Sequence, residues 1–159
     1  MRRAVYPGSF DPITHGHLDI IQRGTQIFDH VVIAVLENEE KSPLFSVAER
    51  LEIIAEVTHH LPQVQVRSFS GLLVNFMKTI DASVVVRGLR AVSDFEYEFQ
   101  MALMNRGLSS EVETIFMMPA VEYTYVSSRL VKEVFRLGGD VSNLVPANAL
   151  DRMRRKFEK

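Results

Sequence analysis

Short runs of β-branched residues alternate along this chain with longer stretches whose apolar positions recur every three or four residues. Residues 3–6 read as a strand that stops at Pro7-Gly8. Residues 16–28 read as a helix with Leu18, Ile21 and Phe28 on one face. Residues 31–36 are unbroken apolar, as in a strand covered on both sides. Ser46-Val47-Ala48-Glu49 has the form of a capping box, and the helix it opens carries Leu51, Ile54 and Val57. Residues 63–69 alternate like a strand, and 72–80 form a short helix. Residues 83–86 are a fourth strand. Ser93-Asp94-Phe95-Glu96 is a second capping box, opening a helix to about residue 106. A fifth strand covers 113–118, and a helix over 127–137 ends at Gly138-Gly139. Pro146 starts a last amphipathic helix with Leu150, Met153 and Phe157.

Five β-α units and one extra helix imply an α/β fold. The expected form is a Rossmann-like doubly wound five-stranded parallel sheet, with helices on both faces and a C-terminal helix. No repeat, low-complexity tract or linker interrupts it, so residues 1–159 read as a single domain.

Composition narrows the function. Lys and Arg total 18 against 20 Asp and Glu, a formal net charge of −2, which gives no general attraction to nucleic acid or anionic membrane. The basic stretch Arg152-Met153-Arg154-Arg155-Lys156 reads better as the solvated face of the last helix than as a nucleic-acid handle. The absence of cysteine excludes disulfides, thiolate metal sites and thiol nucleophiles. The N-terminus lacks the apolar run of a signal peptide, and no stretch approaches the ~20 apolar residues of a membrane span. The expected location is cytoplasmic.

Ligands of open parallel sheets bind beyond the carboxyl ends of the strands. Those ends carry Gly8-Ser9-Phe10-Asp11, residues 37–41, Ser70-Gly71-Leu72-Leu73, Arg87-Gly88-Leu89-Arg90, and residues 119–128. Cations and hydroxyls gathered on one edge of an acidic chain argue for a phosphate site. Thr14-His15-Gly16-His17 leads into a helix whose first amides favour an anion. His17 would donate to a phosphate oxygen, either neutral or charged; the plainer reading is a threonine cap followed by a surface histidine. His15 reads as structural. Arg87 and Arg90 could form a phosphate fork or stand as two solvated charges. Lys41 among acidic neighbours reads as part of a solvated loop, and Glu98 as a surface charge. Ser127 or Ser128 could cap the late helix, or their hydroxyls and amides could hold ATP phosphates.

Together these residues resemble the nucleotidylyltransferase superfamily, whose T/H-x-G-H motif matches Thr14-His15-Gly16-His17 and whose serine-rich motif precedes a late helix. Tyr6-Pro7-Gly8-Ser9-Phe10-Asp11-Pro12, Val86-Arg87-Gly88-Leu89-Arg90, Asp94-Phe95-Glu96-Tyr97-Glu98 and Tyr125-Val126-Ser127-Ser128 resemble the bacterial phosphopantetheine adenylyltransferases. The resemblance runs the length of the chain. Ser9 stands where other members carry threonine; either residue supplies a hydroxyl.

The resemblance implies transfer of AMP from ATP to 4′-phosphopantetheine, giving dephospho-coenzyme A and pyrophosphate. It implies that His17, Lys41 and Arg90 serve catalysis. Ser9, Lys41, Leu73 and Arg87 would hold the acceptor. ATP would contact Ser9, Phe10, His17, Gly88, Leu89, Arg90, Glu98, Tyr123, Thr124, Tyr125, Val126, Ser127, Ser128 and Arg129. It further implies Mg²⁺ bound mainly through ATP phosphates, feedback by coenzyme A and a homohexamer, with no nucleic acid or membrane partner. A phosphorylated acceptor is ionised at neutral pH, so its attack needs positioning and charge neutralisation and no general base.

Overall fold

The computed structural model describes residues 1–37, 42–90 and 94–158. The elements run β1 (Arg3–Gly8), α1 (His15–Ile27), β2 (His30–Leu36), α2 (Val47–Thr58), β3 (Val64–Phe69), α3 (Leu73–Thr79) and β4 (Val84–Gly88), followed by α4 (Asp94–Leu108), β5 (Glu113–Met117), a single 3₁₀ turn (Val121–Tyr123), α5 (Ser128–Arg136) and α6 (Ala147–Phe157). All strand pairs are parallel, in the order β3-β2-β1-β4-β5. The order reverses between β1 and β4, which makes their carboxyl ends the switch point where such sheets bind ligands.

Strand periodicity divides the core in two. Ala4 and Tyr6 of β1 and Val31, Ile33 and Val35 of β2 pack with Ile20 of α1, Ile54 of α2, Val131 of α5 and Met153 of α6. Val5, Val32, Ala34 and Val85 point the other way, onto Val74 and Met77 of α3. β3 lies at an edge and alternates in exposure, as its sequence pattern requires.

At the switch point the strands part. β1 pairs with β2 from Arg3 through Gly8, but with β4 only at Ala4 and Val5. Beyond Val5 the Pro7 carbonyl is met by a side chain instead, Arg87 Nη1 at 2.6 Å. The pairing with β2 carries β1 past the expected stop at Pro7-Gly8, and β4 likewise runs on through Arg87 and Gly88, which pair with Phe116 and Met117.

Other expectations hold or shift by a residue. Ser46 and Glu49 make their capping box reciprocally. The second expected box begins at Ser93, outside the described residues. α2 buries Arg50, Ile53 and Ile54, a stripe rotated from the expected Leu51, Ile54 and Val57; Leu51 and Val57 pack at its margin. α5 ends in a left-handed Gly138 (φ +82°), with Gly139 N–H donating to the Val134 carbonyl and Gly138 N–H to that of Phe135. The basic stretch of α6 is not simply solvated: Arg152 bridges Glu52 and Glu56, and Lys156 pairs with Glu49, pinning α6 to α2. Among the described residues no helix is long and apolar enough to cross a membrane.

Candidate active site

α1 begins with Thr14 as its N-cap, and the residue three places on is His17. The His17 amide donates to Thr14 Oγ1 at 3.3 Å, and the Thr14 amide donates back to His17 Nδ1 at 3.0 Å. This is a capping box with histidine in the place of the usual glutamate. It folds the ring over the helix start and settles its tautomer. A backbone amide can only donate, so Nδ1 accepts and the proton of a neutral ring sits on Nε2. The electrostatics agree. Burial, with the Arg90 and Arg87 charges adding to it, pushes the His17 pKa down from 6.5 to about 3. The ring is therefore a neutral Nε2–H donor at physiological pH. The Thr14 hydroxyl, 3.2 Å from Nδ1, is 1% exposed and serves the cap, so the pair is not a nucleophile with its base.

Phe10 supports this ring from below. Its side chain is buried, edge-on to His17 at 5.0 Å between centroids and to Tyr6 at 5.3 Å. Phe10 is held at φ +50°, in the left-handed region that bulky residues rarely adopt. Burial pushes the Tyr6 hydroxyl up to about 12, so it stays protonated.

Across the switch point, Arg87 grips Glu98 with both arms of its fork, Nε to Oε2 at 2.8 Å and Nη2 to Oε1 at 2.6 Å. Burial opposes the charged guanidinium, but the Glu98 carboxylate outweighs it and raises the Arg87 pKa. Neither residue is the solvated charge that remained open from the sequence. Arg90 Nη1 reaches the Val126 carbonyl at 3.3 Å, joining the end of β4 to the loop before α5. In that loop Ser127 caps α5, its Oγ accepting the Leu130 amide at 3.1 Å, and Ser128 Oγ donates to the Pro12 carbonyl at 2.6 Å.

These pieces enclose a cavity of about 280 Å³. Of the expected nucleotide contacts, Ser9, Phe10, His17, Gly88, Arg90, Glu98, Tyr123, Val126, Ser127, Ser128 and Arg129 line it, together with Arg87. Leu89 is buried beside it, its amide on the Met117 carbonyl, and Thr124 and Tyr125 lie off the lining. His15 faces a separate groove beside Tyr123. A second cavity of about 390 Å³ is mostly apolar, with Leu36, Phe69, Leu72, Leu73 and Met101 on its walls. The two share Pro7, Gly8, Ser9, Arg87 and Glu98. Lys41 lies outside the described residues.

Sequence reasoning gave no role to Tyr6, Asp11, Arg50 or Lys132, all buried around this site. Arg50 is 4% exposed and donates from Nη1 to the carbonyls of Ser9 at 2.7 Å and Leu36 at 3.3 Å. One signal was present: with Ile53 and Ile54 it forms an i, i+3, i+4 set, which puts a charge on the apolar stripe of α2.

Comparison with known proteins fits this geometry. A family model described as cytidylyltransferase-like matches residues 5–134. A phosphopantetheine adenylyltransferase of Caldanaerobacter subterraneus subsp. tengcongensis is 54% identical over 159 residues, covering 100% of this chain and 99% of that protein. One from a Synechococcus species is 56% identical over 157 residues, covering 99% and 95%. The chain belongs to the phosphopantetheine adenylyltransferase family. It is an enzyme of the nucleotidyltransferase class, as its switch-point site leads one to expect. A Vibrio parahaemolyticus structure, provisionally named a nicotinate-nucleotide adenylyltransferase, superposes with a TM-score of 0.72 over 98% of this chain and 93% of its own. At 15% identity that likeness speaks for the shared Rossmann-like fold alone.

Proposed function

We propose that this member of the phosphopantetheine adenylyltransferase family transfers AMP from ATP to 4′-phosphopantetheine, yielding dephospho-coenzyme A and pyrophosphate, the penultimate step of coenzyme A synthesis. The observation that carries the reading is the junction of the two cavities. One is walled by cations, hydroxyls and two helix starts, and suits a nucleotide triphosphate; the other is an apolar channel suited to a pantetheine arm. They meet at Ser9 and Arg87, where an acceptor phosphate would face the α-phosphate of ATP.

In the reaction an acceptor phosphate oxygen forms a new bond to the α-phosphorus, and the bond from that phosphorus to the α–β bridging oxygen breaks. Pyrophosphate leaves with the electron pair. No proton need be removed from the nucleophile, which fits a site whose histidine is a fixed donor. His17 Nε2–H would hydrogen-bond a non-bridging α-phosphoryl oxygen, and that bond strengthens as charge builds there. Arg90 and Lys41 would add positive charge. The first amides of α5 would hold phosphate oxygens, as helix starts do, whereas at α1 the His15 and His17 amides are already taken by the Leu144 carbonyl and the Thr14 hydroxyl. Ser9, Lys41, Leu73 and Arg87 would hold the acceptor, with Leu73 on the channel wall. Phe10, Gly88, Leu89, Glu98, Tyr123, Thr124, Tyr125, Val126, Ser127, Ser128 and Arg129 would frame ATP.

Among the described residues no group of three or more carboxylates or histidines is placed to hold a metal, and the Glu98 carboxylate is taken up by Arg87. Mg²⁺ would therefore be carried by ATP phosphates and water, and would supply charge neutralisation. The same reading takes the enzyme to be a cytoplasmic homohexamer inhibited by coenzyme A.

The deciding experiment is a coupled pyrophosphate assay with ATP and a panel of phosphorylated acceptors. Release with 4′-phosphopantetheine well above the rest is expected. Release with a different acceptor alone would replace this substrate, and release with none would remove the catalytic reading.

A further inference from the structure

Two strand-end connections and helix α5 meet at a point that neither cavity reaches. Asp11 is 1% exposed and lines neither of them. Its Oδ1 accepts the Phe45 amide at 2.8 Å; its Oδ2 accepts the Leu44 amide at 2.8 Å and Lys132 Nζ at 3.1 Å. Leu44 and Phe45 lead into α2. Lys132 lies in α5, one turn after Ser128, whose hydroxyl is already tied to the neighbouring Pro12 carbonyl. One carboxylate thus joins the first loop to the approach to α2 and to the helix that starts at the serines.

What Asp11 borders is strained. Phe10, the residue before it, is at φ +50°, a conformation that persists only where the surroundings over-determine it. Arg50 holds the Ser9 carbonyl on one side of Phe10, and Asp11 with its three donors holds the other. Were Phe10 to relax, the ring beneath His17 would move, and Ser9 with it.

The chemistry of the clamp also favours a positioning role. An ionised carboxylate offers acceptors on both oxygens, so it can take two consecutive amides and an ammonium together. A buried ion pair is weak evidence for stability, because packed apolar side chains often serve as well or better. A charged hub here is better explained by the geometry it imposes.

We propose that Asp11, with Lys132, is a positioning residue for the transfer step, holding Phe10 and hence His17 in register with the start of α5. The inference rests on the reading of His17 as the donor to the reacting phosphate. The test uses the whole chain and two variants, Asp11→Asn and Lys132→Met, with Lys132→Arg as the conservative control. In the ligand-free ¹⁵N-labelled protein, NMR of the His17 ring reads its tautomer directly. Wild type is expected to show protonated Nε2 and unprotonated Nδ1, and both variants are expected to shift these signals. In pyrophosphate release, kcat should fall roughly tenfold or more while the KM for ATP stays within about threefold, with Lys132→Arg recovering most of the loss. His17 signals unchanged in both variants would overturn the proposal, as would a kcat within about twofold of wild type. Should Asp11→Asn fail to fold, Lys132→Met carries both measurements. A wild-type chain that releases no pyrophosphate with 4′-phosphopantetheine sinks the functional reading instead, and the ring spectra still decide the role of Asp11.

Discussion

An imidazole that accepts a backbone amide at Nδ1 has one nitrogen left to offer, and that nitrogen carries the proton. His17 is in this position, with its pKa pushed down to about 3 by burial and by Arg90 and Arg87. His17→Ala should lower kcat by about 10²- to 10³-fold, the usual loss of one oxyanion-type donor, with little change in the KM for ATP. Steady-state kinetics checks this, and a loss carried by KM alone would contradict it. A pH consequence follows as well. Between pH 6.5 and about 3 the unfolded chain protonates this ring while the folded chain resists, so acidification through that window favours unfolding. Urea unfolding at several pH values should show wild type losing stability on acidification through that range. In His17→Gln that part of the slope should be missing. Meanwhile His17 should leave no titration of its own in kcat between pH 6 and 9. The T-x-G-H stretch could be read in the sequence as a candidate anion site, but the charge state of its histidine could not. It depends on a cap geometry and on two arginines some 70 positions away.

At the scale of elements, β4 and α4 are locked by the Arg87–Glu98 fork, whose partners are separated by 11 residues and partly buried. Arg87→Ala should weaken the acceptor more than ATP, measured as separate KM values. It should also cost about 3 kcal/mol in urea unfolding, because it leaves the Glu98 carboxylate buried without a partner. The paired replacement Arg87→Met with Glu98→Leu should regain most of that stability while activity stays low. A double variant as unstable as Arg87→Ala would count against the buried-charge account. Elements were the most legible level of this chain. Among the described residues, apolar runs and the Ser46 capping box give five strands and six helices in order, because those signals are local. What joins them was not legible. Lys132 meets Asp11 across 121 positions, and Arg50 meets Ser9 across 41. Neither pairing leaves a periodic trace. In a linear reading Lys132 looks like an ordinary helix-surface cation, and Arg50 stands out only as a charge on the apolar stripe of α2, with nothing to name Ser9 as its partner.

At the scale of the whole molecule, the two faces of the sheet are covered unequally. α1, α2, α5 and α6 bury one face thoroughly, whereas α4 carries apolar side chains that remain in the open. Phe95, Phe99 and Leu103 follow one another at helical spacing and are each about half exposed, and Met104 and Leu108 extend the patch. None of these side chains belongs to either core cluster, so this face of α4 is a candidate for contact between chains. Contiguous apolar surface of this kind is a mark of association sites. The family expectation supplies the occupant, further copies of the same chain. Sedimentation equilibrium should therefore return about six times the 18.1 kDa mass of one chain. Phe99→Glu with Leu103→Glu should reduce that mass, since a charge at the centre of an apolar contact has no partner to offset its desolvation. Neither side chain lines the cavity that holds His17, so the dissociated variant should keep its nucleotide site and bind ATP by calorimetry. If the variant stays fully assembled, contact between copies runs through another surface. If wild type sediments as a single chain, the exposed face of α4 is not a site of self-association.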